Sequence, residues 1–147
     1  AITTLLFRYA ECIDRADFAG LGQLFAHGRI RSSSGPAGDA WSGDQVREFY
    51  ARTNRVHDDG TLRTRHLNTN HVVDIDEPAG VASVRSAYVV FQATPKLPFQ
   101  PIVGGRYEDR FERSDAEWRW IDRLIHVDQV GDVSEHLNLD RSLLTRR

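Results

Sequence analysis

The sequence predicts an α+β fold in which three N-terminal helices cover a curved, mostly antiparallel sheet. Three observations carry that prediction. Helical spacing of apolar residues is confined to the part of the chain before Asn54. From Leu62 the texture changes to strands, which continue to about Gln129. Short turns join those strands, so helices and strands segregate along the chain. Long antiparallel strands twist and curl, and helices laid on the concave face leave room for a pocket.

Residues 2–13 form the first predicted helix. Ile2, Leu5, Leu6, Tyr9, Cys12 and Ile13 share one stripe, while Thr4, Arg8 and Glu11 lie elsewhere. Asp14 to Asp17 breaks it, and Asp17 suits the N-cap of a second helix whose apolar face is Phe18, Leu21, Leu24 and Phe25. Gly28 ends that helix, and Arg29 to Ser33 suit a short strand. Ser34 to Asp39 is loop chemistry. Ser42 and Gln45 have the spacing of a capping box for a third helix, buried through Val46, Phe49 and Tyr50 and ending near Asn54. Four strands follow: about Arg63 to Ile75, Val81 to Ala93, Ile102 to Arg113, and Trp118 to about Gln129. Pro95, Pro98 and Pro101 bracket a predicted loop holding Leu97 and Phe99, suited to a pocket lid or a subunit contact. Strand alternation places Asn68 and Asn70 on the same side as His66, and His71 on the other. The tail after Gly131 is polar, with one helical turn expected at Val133 to Leu137.

At 147 residues the chain has the length of a single domain, 1–147. Its 19 basic and 21 acidic residues give a formal net charge of −2, which argues against nucleic acid as the main partner. A single cysteine, Cys12, excludes an internal disulfide framework and a cysteine-rich zinc site, and it fits a reducing cytoplasm. No apolar run approaches the roughly 18 residues of a membrane span, and the start lacks the basic segment of a secretory signal. His57-Asp58-Asp59 lacks a spaced partner, so no metal is expected there. A Gly-x-Ser-x-Gly elbow is absent, and Cys12 sits on an apolar stripe, which leaves serine or thiol catalysis without support.

The segments Leu6 to Phe18, Leu24-Phe25, Ser42-Gly43, Arg65 to Asn70, Gly105-Arg106-Tyr107 and Trp118 to Arg123 resemble, in that order, the SnoaL-like group of the nuclear-transport-factor-2-like (cystatin-like) superfamily. The resemblance spans residue 2 to about residue 128. It implies a cone-shaped fold that hosts dehydratases, isomerases, cyclases, a dehydrochlorinase, dioxygenase accessory subunits and plain binding modules. Scytalone dehydratase, bile-acid dehydratase and dehydrochlorinase type proteins are similar at specific points. Their Asp at the end of the first helix, His on the first long strand and preceding Tyr match Asp14, His66 and Tyr9. An Arg on their last strand matches Arg123, with Arg119 as the neighbouring choice.

That resemblance implies His66 as general base, Asp14 as its orienting carboxylate, and Tyr9 and Arg123 as stabilisers of an oxyanion or leaving group. Asn68, Asn70, Tyr107, Phe49 and Tyr50 are the expected substrate contacts. Elimination or double-bond migration needs only a base and a donor, so no cofactor is expected. The implied substrate is a hydrophobic cyclic molecule, and the expected assembly is a homodimer or homotrimer. Structural readings stand beside these. Asp14 suits a turn or cap, His66 an exposed strand pair with Arg65, Tyr9 the core, and Arg123 a salt bridge to Asp109 or Asp122. A non-catalytic ligand-binding or accessory-subunit module of the same fold is the alternative function. One geometric condition is set here: Tyr9 and Asp14 lie about 140° apart on an ideal helix and converge only if the helix ends near Ile13.

Overall fold

The computed structural model describes residues 1–144. Helix α1 runs Ile2–Asp14, α2 Phe18–Leu24 and α3 Asp44–Thr53. The strands are β1 Arg29–Ser32, β2 Thr64–Asp76, β3 Val81–Thr94, β4 Leu97–Ser114 and β5 Glu117–Val130. They form one sheet in the order β1-β5-β4-β3-β2, antiparallel except for the parallel pair β1 and β5. The expected element order is present, and the α+β class holds.

Local chemistry explains several boundaries. Asp17 caps α2, its Oδ1 accepting from the Gly20 N–H at 2.8 Å. The capping box at α3 is half made: Gln45 Oε1 accepts from the Ser42 N–H at 3.3 Å. One α-turn closes at Val133, where its carbonyl accepts from the Leu137 N–H at 3.0 Å. Of the proline-bracketed segment only Pro95-Lys96 is a turn, because β4 begins at Leu97. β5 ends at Val130, opposite Val103, and the Gly131 N–H still donates to the Ile102 carbonyl at 2.7 Å, so residues 97–101 lie beyond it on that side. Proline is tolerated where a strand has an unpaired edge.

Alternate strand residues Val84, Tyr88 and Val90 on β3 and Tyr107 and Phe111 on β4 face the helices and are buried. One end of this layer is solid. Phe25 and Trp120 stack at 4.9 Å, and Phe111 lies 5.0 Å from Trp120. Toward Val103 and Val130 the helices and sheet separate, and a cavity opens.

Two bulges in the pairing decide which side chains reach the helix face. On β2, Asn70 and His71 together oppose Ser86, and Asn70 takes φ +54°. On β5, Ile121 is the extra residue between the pairs Trp120↔Phe111 and Asp122↔Arg110. An inserted residue reverses the facing of everything beyond it. A third irregularity lies at Gly104-Gly105. A Cβ on Gly105 would run into the His126 carbonyl oxygen and the Tyr88 ring. We expect Gly105→Ala to lower stability by about 1–3 kcal/mol, measured as a lower urea midpoint at unchanged slope.

Candidate active site

The end of α1 is stapled to the free edge of β2 through Asp14. Its carboxylate accepts from the Thr64 hydroxyl at 2.7 Å, from the His66 backbone N–H at 3.0 Å and from His66 Nδ1 at 2.6 Å. A carboxylate at Nδ1 fixes the proton there in the neutral ring, which leaves Nε2 with its lone pair. The side-chain bond to Asp14 is made at Nδ1, and the ring lines the cavity. Burial pushes the Asp14 carboxyl upward, but the bonds and charge of His66 and the Thr64 hydroxyl outweigh it, so the carboxyl lies below its ordinary range.

The cavity measures about 430 Å³. Ile13, Val90, Val103, Ile125 and Leu137 supply apolar wall, and Tyr9, Tyr50, Tyr88 and Tyr107 supply phenols. Its mouth lies beside exposed Pro36 and Asp39 of the β1–α3 loop and half-exposed Leu143 of the C-terminal segment. Burial raises all four phenols, so each stays protonated and neutral. Tyr9 and Tyr50 share one hydrogen bond of 2.9 Å between their hydroxyls. Two hydroxyls in one mutual bond use a single proton, so the other O–H remains available to a ligand oxygen.

Helix α1 runs through Asp14, one residue past the expected break, and Tyr9 and Asp14 do not converge. Tyr9 faces the cavity, whereas Asp14 lines a separate outer groove together with Arg15, Arg63 and Phe91. The His66 ring, bonded to Asp14, lines the cavity.

Tyr107, Phe49 and Tyr50 line the cavity. Three other expected site residues do not. The β2 bulge turns Asn70 outward, where it is exposed, and brings His71 to the helix side, 6.0 Å from the Phe7 ring. Asn68 is committed elsewhere: its amide donates to the Ser86 hydroxyl and the Ala87 carbonyl, both at 2.9 Å, and its oxygen meets His71 at 3.0 Å. Arg123 is wholly buried beneath the wall. It is clamped by Asp109 at 2.7 and 2.9 Å and sandwiched between the rings of Tyr9 and Tyr107 at 4.1 and 3.8 Å. Arg123 is not among the residues that line the cavity. Arg119 lies on the opposite face, paired with Glu112 at 2.8 Å, because the Ile121 bulge separates the two arginines. Phe99 is no lid: it is 71% exposed and stacks on Phe91 outside the cavity.

Sequence reasoning missed His136 and Tyr88, both in the cavity wall. His136 is a lone histidine in a polar tail, which carries no periodic signal. Burial, reinforced by the nearby His66, pushes its imidazole down to about 3. The unfolded chain protonates that ring near 6.5, so between about pH 6.5 and 3 the unfolded state binds more protons. Stability therefore falls as pH drops through that window. Asp14 adds to the loss below its unfolded value of 3.8, as its lowered carboxyl is protonated. Urea melts should show a lower midpoint at pH 4.5 than at pH 7.5, with His136→Phe removing about one proton from the slope.

Among the described residues, no group of three or more His, Cys, Asp or Glu side chains is arranged to hold a metal, and no helix is long and apolar enough to cross a membrane.

A family model described as a SnoaL-like domain matches residues 1–123. A Mycobacterium tuberculosis protein of unknown function superposes with a TM-score of 0.68 at 29% identity, covering 88% of this chain and 75% of that one. A provisionally assigned scytalone dehydratase from Novosphingobium aromaticivorans gives 0.66 at 22% identity, covering 90% and 85%. The β subunit of a provisionally assigned aromatic-ring-hydroxylating dioxygenase from the same organism gives 0.68 at 20% identity, covering 89% of each. The shared architecture is the cystatin-like, NTF2-like fold.

Proposed function

The chain belongs to the SnoaL-like family, and on that premise we propose that its cavity is the active site of a cofactor-independent lyase or isomerase of the dehydratase kind. One observation carries the reading: an imidazole backed by a carboxylate at 2.6 Å, its other nitrogen open to a largely apolar hollow. In this scheme His66 Nε2 takes a proton from a carbon beside a carbonyl group, and the freed electron pair forms the new carbon–carbon double bond. For an elimination, the hydroxyl on the next carbon departs with that proton as water, and His66 returns to its starting state. For an isomerisation, the proton returns to a different carbon. The free O–H of the Tyr9–Tyr50 pair holds the carbonyl oxygen as charge builds on it. The neutral phenols and aliphatic wall suit an uncharged, hydrophobic cyclic substrate, with the chain working as a homodimer or homotrimer in the cytoplasm.

The bicyclic ketone 2-tetralone tests this before a substrate is known. The protein should speed deuterium uptake at the α-carbons in heavy water well beyond the buffer rate, followed by NMR. A protein that binds 2-tetralone without exchange would instead be a ligand-binding or accessory module. Leu67, 45% exposed on the outer sheet face, and the outward Phe99 favour that second reading, as a docking surface for a partner.

A further inference from the structure

Two imidazoles line the cavity, and the scheme above employs only His66. His136 is 5% exposed, and its Nδ1 is buried with no hydrogen-bond partner among the described residues. Nδ1 is sealed from solvent, and the residue lines the cavity. Buried polar groups in folded proteins are paired with few exceptions, and each exception calls for a reason.

The backbone around His136 is held from several sides. Its N–H donates to the Val133 carbonyl at 3.0 Å, and its carbonyl accepts from the Arg55 N–H at 2.8 Å. The adjoining Glu135 is bound by Arg55 at 2.8 Å and Thr94 at 3.1 Å, and its carbonyl meets Gln92 Nε2 at 2.9 Å. On the other side, the Asn138 N–H donates to the Thr53 carbonyl at 2.8 Å. A segment fixed this firmly keeps the ring at the cavity wall. The His66 ring stands 6.4 Å away. Burial keeps His136 uncharged, and a neutral imidazole offers one N–H and one lone pair. The phenols around it are uncharged as well, so this wall answers a neutral oxygen better than an ion.

We propose that His136 is a ligand-contacting residue that hydrogen-bonds a hydroxyl or carbonyl oxygen of an uncharged, apolar ring compound and so sets that compound against His66. It lies beyond the residues 1–123 that match the family model. The inference rests on the cavity being the ligand site, as above, but not on turnover.

Equilibrium binding of 2-naphthol and 2-methylnaphthalene to the full chain at pH 7.5 separates the roles. The two probes have nearly the same shape, and only the first carries a hydroxyl. The wild type should prefer 2-naphthol by about tenfold or more, since a site built around a hydrogen bond rejects the analogue that lacks it. His136→Phe should weaken 2-naphthol about tenfold while changing 2-methylnaphthalene less than twofold. His136→Gln, which keeps a donor and an acceptor, should retain part of the preference. In the wild type, the His136 ring ¹⁵N resonances should shift when 2-naphthol is added. A preference untouched in His136→Phe, an equal loss for both probes, or unshifted His136 resonances would each overturn the assignment, the last whether or not the variants fold. Loss of the catalytic reading looks different: 2-tetralone exchange is absent while the preference for 2-naphthol persists.

Discussion

His66→Ala should lower the rate of 2-tetralone exchange by about 100- to 10,000-fold, the usual worth of a positioned base. Asp14→Asn should cost nearly as much by a different route. The asparagine amide would donate to Nδ1, the ring proton would move to Nε2, and the cavity would meet an N–H where it now meets a lone pair. The two variants separate on stability. Asp14 also accepts from Thr64 and from the His66 backbone, so Asp14→Asn disturbs bonds that tie α1 to the sheet. An unsatisfied buried donor costs about 1–3 kcal/mol, so its Tm should fall by several degrees. His66→Ala leaves those two bonds in place and should fall less. Exchange that survives both substitutions at the wild-type rate would remove His66 as the base.

Arg123→Met should produce the largest loss of stability, about 3–5 kcal/mol, because it strands the buried Asp109 carboxylate without its partner. For a chain of this size that is a fall in Tm of roughly 6–20 °C. The companion variant decides the cause. Arg123→Met combined with Asp109→Asn removes both charges, and the asparagine oxygen still accepts from Trp120 Nε1, now 2.9 Å from Asp109. Most of the stability should return. Because Arg123 lies under the Tyr9 ring and not at the cavity wall, the folded double variant should exchange 2-tetralone within about tenfold of wild type. A folded Arg123→Met protein with normal Tm and no exchange would show instead that the guanidinium serves chemistry.

The helices were readable because an amphipathic stripe repeats, and Asp17 stood where a capping oxygen belongs. The strand order followed from alternation and short turns. The meeting of Asp14 with His66 was reached through family resemblance, since spacing alone had α1 and β2 as separate elements. What escaped was set by pairing between strands. Nothing near Asn70 marks it as a bulge: it is a non-glycine residue at positive φ, a conformation that asparagine tolerates better than most. Ile121 likewise looks like any β-branched strand residue, yet its insertion sends Arg119 outward and Arg123 inward. Alternation carried across either point names the wrong face. Pro98 and Pro101 misled in the opposite direction, since the unpaired side of β4 that admits them is a property of the finished sheet. His136 reaches the cavity only because the tail folds back under Asn54 and Gln92, contacts that no local pattern encodes.

Asp14 fixes the tautomer of the neutral His66 ring, with the proton on Nδ1 and the lone pair on Nε2. Ring ¹⁵N NMR reads this directly. The neutral form of His66 should be the Nδ1–H tautomer, its Nε2 resonance should move when 2-tetralone is added, and Asp14→Asn should convert it to the Nε2–H tautomer. An Nε2–H tautomer in the wild type, or an Nε2 resonance indifferent to 2-tetralone at saturating concentration, would contradict it.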